Sequence, residues 1–314
     1  MRPLFGLFAL MLAAAPGAAD GLRFFTMGAG PIGGGYYAAA SAICEVIHAE
    51  HPGRLRCSPD PSPGSVYNAT ALRAGHLDFA LVQSDIHREA VAGTGAFAAM
   101  GGSPVLRSVL SLYSEPLTLV AGPGTAITSV AELAGKRISI GARSSGTHVT
   151  VTRLLQTIGL EAGDFTAIRE LPTGIALAQI CSGALDAALI VVGHPNDGIA
   201  NALSSCGATL VPITGPDVED LVAQNPDYAF AAIAAGTYPG IDRSLRTYSV
   251  TATLMTRTDV APDLVAAVAE AIVRNLPGLN RRAPVIPSVR GLGQAREGLY
   301  APLHVGVEGT IASD

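Results

Sequence analysis

Short apolar runs alternate along the chain with longer segments in which apolar residues recur at helical spacing. The runs predict strands, and the segments between them predict helices. In the first part of the chain the predicted strands are Leu22–Met27, Leu55–Ser58, Phe79–Gln83 and Val105–Tyr113, and the predicted helices are Tyr37–Glu50 and Ser65–Ala74. Strands that alternate with helices are typical of a parallel sheet covered by helices.

The same alternation is repeated in the second part of the chain. Its predicted strands are "PLTLVAG" (Pro116–Gly122), "RISIGAR", "FTAIREL", "DAALIVV" and "ATLVPIT", and its clearest predicted helices are Val149–Ile158 and Ile175–Ser182. Ser129 is the expected N-cap of a further helix that stops at Gly135. We therefore expect two α/β units of similar size.

A strand at Arg246–Arg257 and a helix at Pro262–Asn275 follow the second unit. They are too little for a third domain, so we expect the chain to return to the first unit. The predicted division is lobe 1, residues 20–115 plus 246–314, and lobe 2, residues 116–245. The predicted fold class is α/β with two lobes, joined by two crossing strands that serve as a hinge.

The N-terminal stretch "MRPLFGLFALMLAAAPGAAD" combines one Arg, an apolar run from Pro3 to Ala15 and small residues up to Ala19. This pattern is typical of a signal peptide, which we predict to be residues 1–19. The run is short for a membrane span, although a retained anchor is the alternative. Export from the cytoplasm is the expectation that follows.

Composition excludes one class of partner. The formal net charge is −5, the chain has no Trp, and aromatic residues make up only 5% of it. Such a chain offers neither a basic surface nor stacking platforms for nucleic acid.

Four cysteines, an even number, suggest disulfides in an exported protein. Three pairings are possible, and Cys44–Cys57 with Cys181–Cys206 is favoured because each bond would close a modest loop inside one unit. Four buried free thiols are the alternative. No C-x-x-C pair is present, which argues against zinc.

The stretch Gly28-Ala29-Gly30-Pro31-Ile32-Gly33 fits the dinucleotide pattern G-x-G-x-x-G and follows a predicted strand. Dinucleotide binding is nevertheless disfavoured, because Pro31 lacks an N–H for a phosphate and no acidic residue ends a second strand at the expected distance. A glycine loop before a helix start still favours an anion, through free N–H groups and the helix dipole. A turn that serves only close packing is the alternative.

The second unit has a similar feature in "ARSSGTH" (Ala142–His148), which lies between a predicted strand and a predicted helix. Two such helix starts, one on each lobe, would hold the carboxylates of a small molecule from both sides of a cleft. Arg143 would add a cation there or form an exposed salt bridge.

Several stretches of the sequence resemble the TAXI family of solute receptors, which serve tripartite ATP-independent periplasmic (TRAP) transporters. The resemblance runs from about Leu22 to His304 and is carried by "GAGPIGGGYYAAASAICEVI", "GSVYN", "RAGHLDFALVQSD", "GHPN" and "APLH". It implies a two-lobed periplasmic binding protein of type II that captures a small organic anion, such as glutamate, glutamine, a dicarboxylate or a 2-oxo acid. It also implies delivery to a fused membrane permease, with no catalysis and no cofactor. We expect a monomer.

The resemblance also implies the ligand-binding loops. Their candidate residues are Gly30, Gly34, Tyr36, Tyr37, Ser65, Tyr67, Asn68, Gln83, Ser84, Asp85, Ser144, Ser145, Gly146, Thr147, Thr173, Gly193 and His194. Plainer alternatives exist for some of them. Ser65, Asn68 and Asp85 also fit helix caps, and His194 before Pro195 fits a turn. Tyr36 and Tyr37 point in different directions, so only one is expected to face the ligand.

Two features differ from the family pattern. "GARSSGTH" stands where the family commonly has Asn-Pro-Gly-Ser-Gly, and the added Arg is a difference that bears on the choice of ligand. The region "LNRRAPVIPSVRGLGQAREGLY" is only loosely similar, which leaves the permease docking surface less defined.

Two other functions are alternatives to that of a receptor. A secreted hydrolase is disfavoured because the chain has neither a G-x-S-x-G elbow nor an H-E-x-x-H motif. Glu45 and His48 would share one helix face, but further metal ligands are not apparent, so no metal site is predicted. A ligand sensor that signals to a membrane partner would need the same pocket.

Overall fold

A computed structural model describes residues 21–288 and 293–308. The predicted signal peptide, residues 1–19, lies outside the described residues. The strands are β1 (Arg23–Gly28), β2 (Leu55–Asp60), β3 (Phe79–Gln83), β4 (Leu106–Ala121), β5 (Arg137–Ser139), β6 (Ala167–Arg169), β7 (Ala187–Val191), β8 (Thr209–Val211), β9 (Ala229–Ile233) and β10 (Leu245–Arg257). The α-helices are α1 (Gly35–Glu50), α2 (Ser65–Arg73), α3 (Ser84–Ala92), α4 (Gly146–Thr157), α5 (Thr173–Cys181), α6 (Asp197–Cys206), α7 (Pro216–Gln224), α8 (Pro262–Arg274) and α9 (Leu276–Arg282).

The strands form one mixed sheet in the order β2-β1-β3-β10-β4-β7-β5-β6, with β8 paired to β4 and β9 to β10. Two parallel groups, β2-β1-β3 and β7-β5-β6, flank the antiparallel pair formed by β10 and β4. We call the first group with its helices the first lobe and the second group with its helices the second lobe. The predicted α/β fold with two crossing strands is confirmed, and these strands are β4 and β10.

The sequence predicted the crossing strand β4 as two strands, Val105–Tyr113 and Pro116–Gly122, and this prediction is wrong. The polar residues Ser114 and Glu115 suggested an interruption, but both stay paired with β10, opposite Thr251 and Val250. The sequence also missed α3, whose segment "SDIHREAVA" carries several charges. No helix of the described residues is long and apolar enough to cross a membrane.

Each lobe has its own apolar core. Ile43, Phe79 and Leu254 are fully buried in the first, and Leu119 and Leu154 in the second. The crossing strand β10 changes sides along its length, since Tyr248 and Val250 pack into the second core and Leu254 into the first. The predicted lobe boundaries at residues 115 and 246 stay a prediction. The contacts of β10 favour a boundary after Val250, where the strand passes from the second core to the first.

Both favoured disulfides are confirmed. Cys44 of α1 bonds Cys57 of β2 with Cα atoms 5.0 Å apart, and Cys181 bonds Cys206 across the ends of α5 and α6 with Cα atoms 5.3 Å apart. Each bond lies within one lobe. Closing loops of this size stabilises a fold by about 3 kcal/mol, mainly by restricting the unfolded chain.

His87 on α3 connects both crossing strands with the C-terminal segment. The ring is completely buried, with Nδ1 3.1 Å from Thr253 Oγ1 and Nε2 accepting a hydrogen bond of 3.1 Å from the Ala301 N–H. Nε2 also lies 3.3 Å from Ser108 Oγ. Burial lowers the pKa of His87 to about 3, so the ring is neutral at physiological pH.

This histidine predicts acid sensitivity of the fold. The unfolded chain binds the His87 proton below about pH 6.5 and the folded chain only near pH 3, so acid removes about 1.4 kcal/mol of stability per pH unit in between. His87→Gln is expected to have a lower free energy of unfolding than the wild type at pH 7.5. Below pH 6.5 this difference is expected to shrink by about 1.4 kcal/mol per pH unit, because only the wild type is destabilised by protonation of His87 in the unfolded chain. Urea unfolding at several pH values measures it, with exposed His76→Gln as the control. A deficit that is independent of pH would contradict the assignment.

Candidate ligand-binding site

A cavity of about 70 Å³ lies between the two lobes, where the parallel strands end. Its lining residues come from the ends of β1, β2, β3, β5, β6 and β7 with the loops that follow them, and one, Glu115, comes from β4. This is the edge at which open α/β sheets bind ligands, because parallel strands present their carboxyl ends together. The lining residues are Gly30, Pro31, Gly34, Gly35, Tyr36, Pro63, Gly64, Ser65, Gln83, Glu115, Gly141, Ala142, Ser145, Gly146, Thr147, Leu171, Pro172, Thr173, Val191, Val192 and Asn196.

Six helices begin at this cavity, three from each lobe. The first lobe contributes the first or capping residues of α1, α2 and α3, and the second lobe those of α4, α5 and α6. The lining residues at these starts are Gly34 and Gly35, Gly64 and Ser65, Gln83, Ser145 and Gly146, Pro172 and Thr173, and Asn196. Each start carries N–H groups without intrahelical partners and the positive end of a helix dipole.

The caps leave most of these donors free. Ser145 Oγ accepts a bond of 3.1 Å from the His148 N–H, and Asn196 Oδ1 one of 3.1 Å from the Ile199 N–H. The helices α1, α2, α3 and α5 have no hydrogen bond from a capping side chain. The Ile86 N–H of α3 donates to Asp85 Oδ1 and the Tyr67 N–H of α2 to the Ser144 carbonyl, and the other first-turn donors of these helices remain for a ligand. No Arg, Lys or His is among the described lining residues.

Nine predicted residues line the cavity. They are Gly30, Gly34, Tyr36, Ser65, Gln83, Ser145, Gly146, Thr147 and Thr173. Two of them also brace the loops: Ser65 Oγ accepts from the Gln83 N–H at 3.1 Å, and Thr147 Oγ1 accepts from the Val191 N–H at 3.3 Å. Of the two tyrosines, Tyr36 lines the cavity and Tyr37 packs against the first-lobe core.

The other predicted residues lie outside the cavity lining. Asn68 is one of them, because its side chain is used in hydrogen bonds inside the first lobe. Its side chain is completely buried, and Nδ2 donates to the carbonyls of Ala29 at 2.6 Å and Leu81 at 2.8 Å. Its Oδ1 accepts from Ser62 Oγ at 2.7 Å. Asn68 thus fixes α2 to β3 and to the loop that follows β1, and both polar atoms of its side chain have partners inside the protein.

Ser84, Gly193 and His194 are occupied by contacts inside the protein. Ser84 Oγ accepts a bond of 3.0 Å from the Thr251 N–H, and a Cβ at Gly193 would lie 3.0 Å from the Tyr113 ring. His194 Nδ1 lies 2.6 Å from Tyr238 Oη and Nε2 2.9 Å from Thr118 Oγ1. Burial lowers the pKa of His194 to about 4. These contacts of both ring nitrogens favour the turn alternative for His194.

Tyr67 and Ser144 meet across the cleft rather than in the cavity. The Tyr67 N–H donates to the Ser144 carbonyl at 3.1 Å, while the Tyr67 side chain is largely exposed. Arg143, next to Ser144, is exposed and forms an ion pair of 2.8 Å with Glu170. The exposed salt bridge is therefore the role that the structure gives Arg143.

Asp85 belongs to a buried network that joins α3 of the first lobe to the second lobe. Its carboxyl accepts from Thr150 Oγ1 at 2.9 Å and lies 3.9 Å from Arg153 Nη1. Arg153 also donates to Glu89 and, at 2.6 Å, to Tyr228 Oη. Burial raises the pKa of Asp85 to about 6, against the opposing effects of Thr150 and Arg153. We call Asp85, Glu89, Thr150, Arg153 and Tyr228 the interlobe network.

Glu115 is a lining residue that the sequence prediction missed. It lies on β4 near the point where the two lobes meet, and it is 3% exposed. The signal is a carboxyl inside the largely apolar segment "LRSVLSLYSEPLTLVA", at the point where the sequence predicts a break between two strands. Asn196 was missed as well, although it follows the predicted His194 in "GHPN".

The helix face that carries Glu45 and His48 makes contacts inside the protein. Glu45 pairs with Arg282, and His48 Nε2 lies 3.0 Å from the backbone of Cys57. Within residues 21–288 and 293–308, no cluster of three or more His, Cys, Asp or Glu side chains is arranged to hold a metal ion.

Known structures share this architecture. MatC from Rhodopseudomonas palustris with bound malate superposes with a TM-score of 0.59 and 17% identity, over 87% of this chain and 92% of that chain. PhnD1 from Prochlorococcus marinus in complex with methylphosphonate superposes with a TM-score of 0.53 and 12% identity, over 83% of this chain and 89% of that chain. For the alkanesulfonate-binding protein SsuA from Xanthomonas axonopodis pv. citri bound to MOPS, the TM-score is 0.50 and the identity 16%, over 84% of this chain and 80% of that chain.

These likenesses concern the fold, which is that of type II periplasmic solute-binding proteins. A family model identifies the sequence itself, since the model described as "NMT1-like family" matches residues 27–309. That match covers most of the chain, so the protein belongs to the NMT1-like family.

Proposed function

We propose that the protein is a periplasmic solute receptor, which captures a small organic anion between its lobes and delivers it to a membrane transporter. The observation that carries this proposal is the convergence of six helix starts on one cavity. Backbone N–H groups and aligned helix dipoles stabilise negative charge without a cationic side chain. The ligand loops predicted for the receptor are those that supply these helix starts.

The size of the cavity limits the ligand. Its volume of about 70 Å³ is the space open to the centres of water molecules, and one water needs roughly 10–15 Å³ of such space, so the cavity has room for about five waters. Five waters occupy on the order of 150 Å³ of liquid, which suits a metabolite of about ten non-hydrogen atoms. A small carboxylic acid is therefore favoured over a nucleotide or a peptide.

The structural neighbours support an anionic solute and a transport role. They include proteins named with bound malate and methylphosphonate, and a protein named as alkanesulfonate-binding. One further neighbour, from Listeria monocytogenes, is named a putative L-cystine ABC transporter. The resemblance of "GSVYN", "RAGHLDFALVQSD" and "GHPN" to the TAXI family favours a fused TRAP permease as the partner of this chain.

A thermal-shift screen of amino acids, 2-oxo acids and dicarboxylates tests the proposal. A ligand at 100 times its Kd adds about 2.7 kcal/mol to the free energy of unfolding. No stabilisation by any of these compounds would contradict the proposed function.

A pair of variants at Thr173 tests whether the backbone of α5 holds the anion. Thr173 is the first residue of α5, where proline fits a helix but removes the N–H. Thr173→Pro is expected to weaken binding roughly 10- to 100-fold relative to Thr173→Ala, because a hydrogen bond to a charged group contributes about 1.5–3 kcal/mol. Calorimetry measures both affinities. Equal affinities would mean that α5 does not hold the anion.

A further inference from the structure

Glu115 places one carboxyl group at a cavity built from positive helix ends. The residue comes from the crossing strand β4 and not from a loop, so its position is set by pairing with Val250 of β10. Tyr36 Oη donates a hydrogen bond of 2.8 Å to Glu115 Oε2. Tyr36 is the first-turn residue of α1, so one helix start and one crossing strand hold the carboxyl between them.

The second oxygen of this carboxyl has no partner in the described part of the protein. The bond from Tyr36 is the one hydrogen bond that the described residues give the Glu115 side chain, which leaves Oε1 unpaired. The nearby Tyr113 hydroxyl is also buried without a partner. Glu115 lines the cavity, so its unpaired oxygen is available to a ligand there, whereas Tyr113 is not a lining residue.

The charged and titratable groups around Glu115 do not neutralise it. Those that act on it are Tyr36 from α1, Tyr113 from its own strand and, further away, the Asp85 carboxyl on α3. None of them is a cation, and the described cavity lining contains no Arg, Lys or His. An ionised carboxylate that is removed from water without a counter-charge is costly, so a cation in the cavity would be strongly favoured.

We propose that Glu115 binds the ammonium group of the solute, which makes the preferred ligand an amino acid rather than a dicarboxylate or a 2-oxo acid. This inference rests on the proposed function of the cavity and narrows it. An amino acid carries both charges that the cavity complements, because its carboxylate suits the helix starts and its ammonium suits Glu115. A 2-oxo acid of the same skeleton offers Glu115 no ammonium group.

The charge state of Glu115 couples ligand binding to pH. Burial raises the pKa of Glu115 to about 8, although the bond from Tyr36 opposes the rise. The empty protein is therefore protonated here below pH 8, and binding an ammonium group must release that proton. The affinity for an amino acid is expected to rise about tenfold per pH unit up to about pH 8 and then to level off. An acid without an ammonium group would bind the protonated form, so its affinity is expected to stay level up to about pH 8 and to fall above it.

The experiment compares L-glutamate with 2-oxoglutarate, and every other amino acid that binds with its own 2-oxo analogue. Affinities are measured by calorimetry for the wild type and for Glu115→Gln, which keeps the shape and removes the charge. We expect the wild type to prefer the amino acid and Glu115→Gln to weaken amino-acid binding at least tenfold, with little change for the 2-oxo acid. Exposed Glu219→Gln on α7 is the matched control and is expected to leave both affinities unchanged.

A second measurement needs only the wild type, in case Glu115→Gln does not fold. At pH 7, titration with the amino acid in two buffers of different ionisation enthalpy, neither a phosphate nor a sulfonate, is expected to show release of close to one proton. The inference is overturned, and the proposed function kept, if the wild type binds 2-oxo acids or dicarboxylates at least as tightly as amino acids. Proton uptake with the amino acid would overturn it too. Binding of none of these compounds would overturn both.

Discussion

Replacing Arg153 by Met is expected to destabilise the closed arrangement of the lobes by roughly 3–5 kcal/mol. Arg153 on α4 is the cation of the interlobe network, and its partners Asp85 and Glu89 on α3 are almost completely buried. Met keeps much of the packing but leaves two buried carboxyls without a counter-charge. Burial alone would lower the pKa of Arg153, but Tyr228, Asp85 and Glu89 raise it, which shows how strongly they hold the charge.

The free-energy cost of the two unpaired carboxyls is expected in one of two observables, because separation of the lobes would expose these carboxyls to water. Opening would return Asp85 and Glu89 to water, so the variant is expected to show a larger radius of gyration in solution scattering and weaker solute binding. A variant that stays closed is expected to show the cost as a lower free energy of unfolding. Arg274→Met, which removes an exposed pair with Glu270, is the control and should cost less than about 1 kcal/mol. Stability, size and affinity that all match the wild type would contradict a structural role for Arg153.

Asn68→Ala is expected to lower the free energy of unfolding by roughly 2–5 kcal/mol. The substitution removes two donors from the buried carbonyls of Ala29 and Leu81 and the acceptor of the Ser62 hydroxyl. Each buried polar group that loses its partner costs about 1–3 kcal/mol, and Ser62 can recover part of this through its contact with Ala29. Urea unfolding measures the effect.

Asn201→Ala on an exposed part of α6 is the matched control and is expected to stay within about 0.5 kcal/mol of the wild type. The Asn68 variant also separates the two roles considered for this residue. The sequence suggested a ligand contact, whereas its hydrogen bonds in the structure fix the loops. Unchanged stability together with lost solute binding would favour the ligand contact.

The alternation of strands and helices was visible in the sequence because buried parallel strands are continuous apolar runs. Phe79–Gln83 was predicted with the bounds that the structure gives β3. The loops at the cavity were visible for a related reason, since glycine and hydroxyl residues between a strand and a helix indicate exposed backbone donors. Gly30 and Ser145 were found in this way, Thr173 was implied by the family resemblance, and all three line the cavity.

Residues that depend on distant partners were not visible. Glu115 looked like a strand end, because only the pairing of β4 with β10 shows that the strand continues through it. Asp85 and Arg153 are far apart in the sequence and lie on different lobes, so no local pattern connects them. Asn68 carried the residue type of a ligand contact, and only its hydrogen bonds to the Ala29 and Leu81 carbonyls distinguish a structural role from a contact of that kind.

Much of the cavity wall is glycine, proline and main chain, which has a consequence for the evolution and redesign of such receptors. Attraction for an anion survives most substitutions here, because the donors that supply it are present whatever the side chain. Divergence towards a new solute then depends on the few lining positions with polar side chains, among them Ser65, Gln83, Glu115 and Asn196. A library confined to these positions would explore most of the recognition that this scaffold can encode.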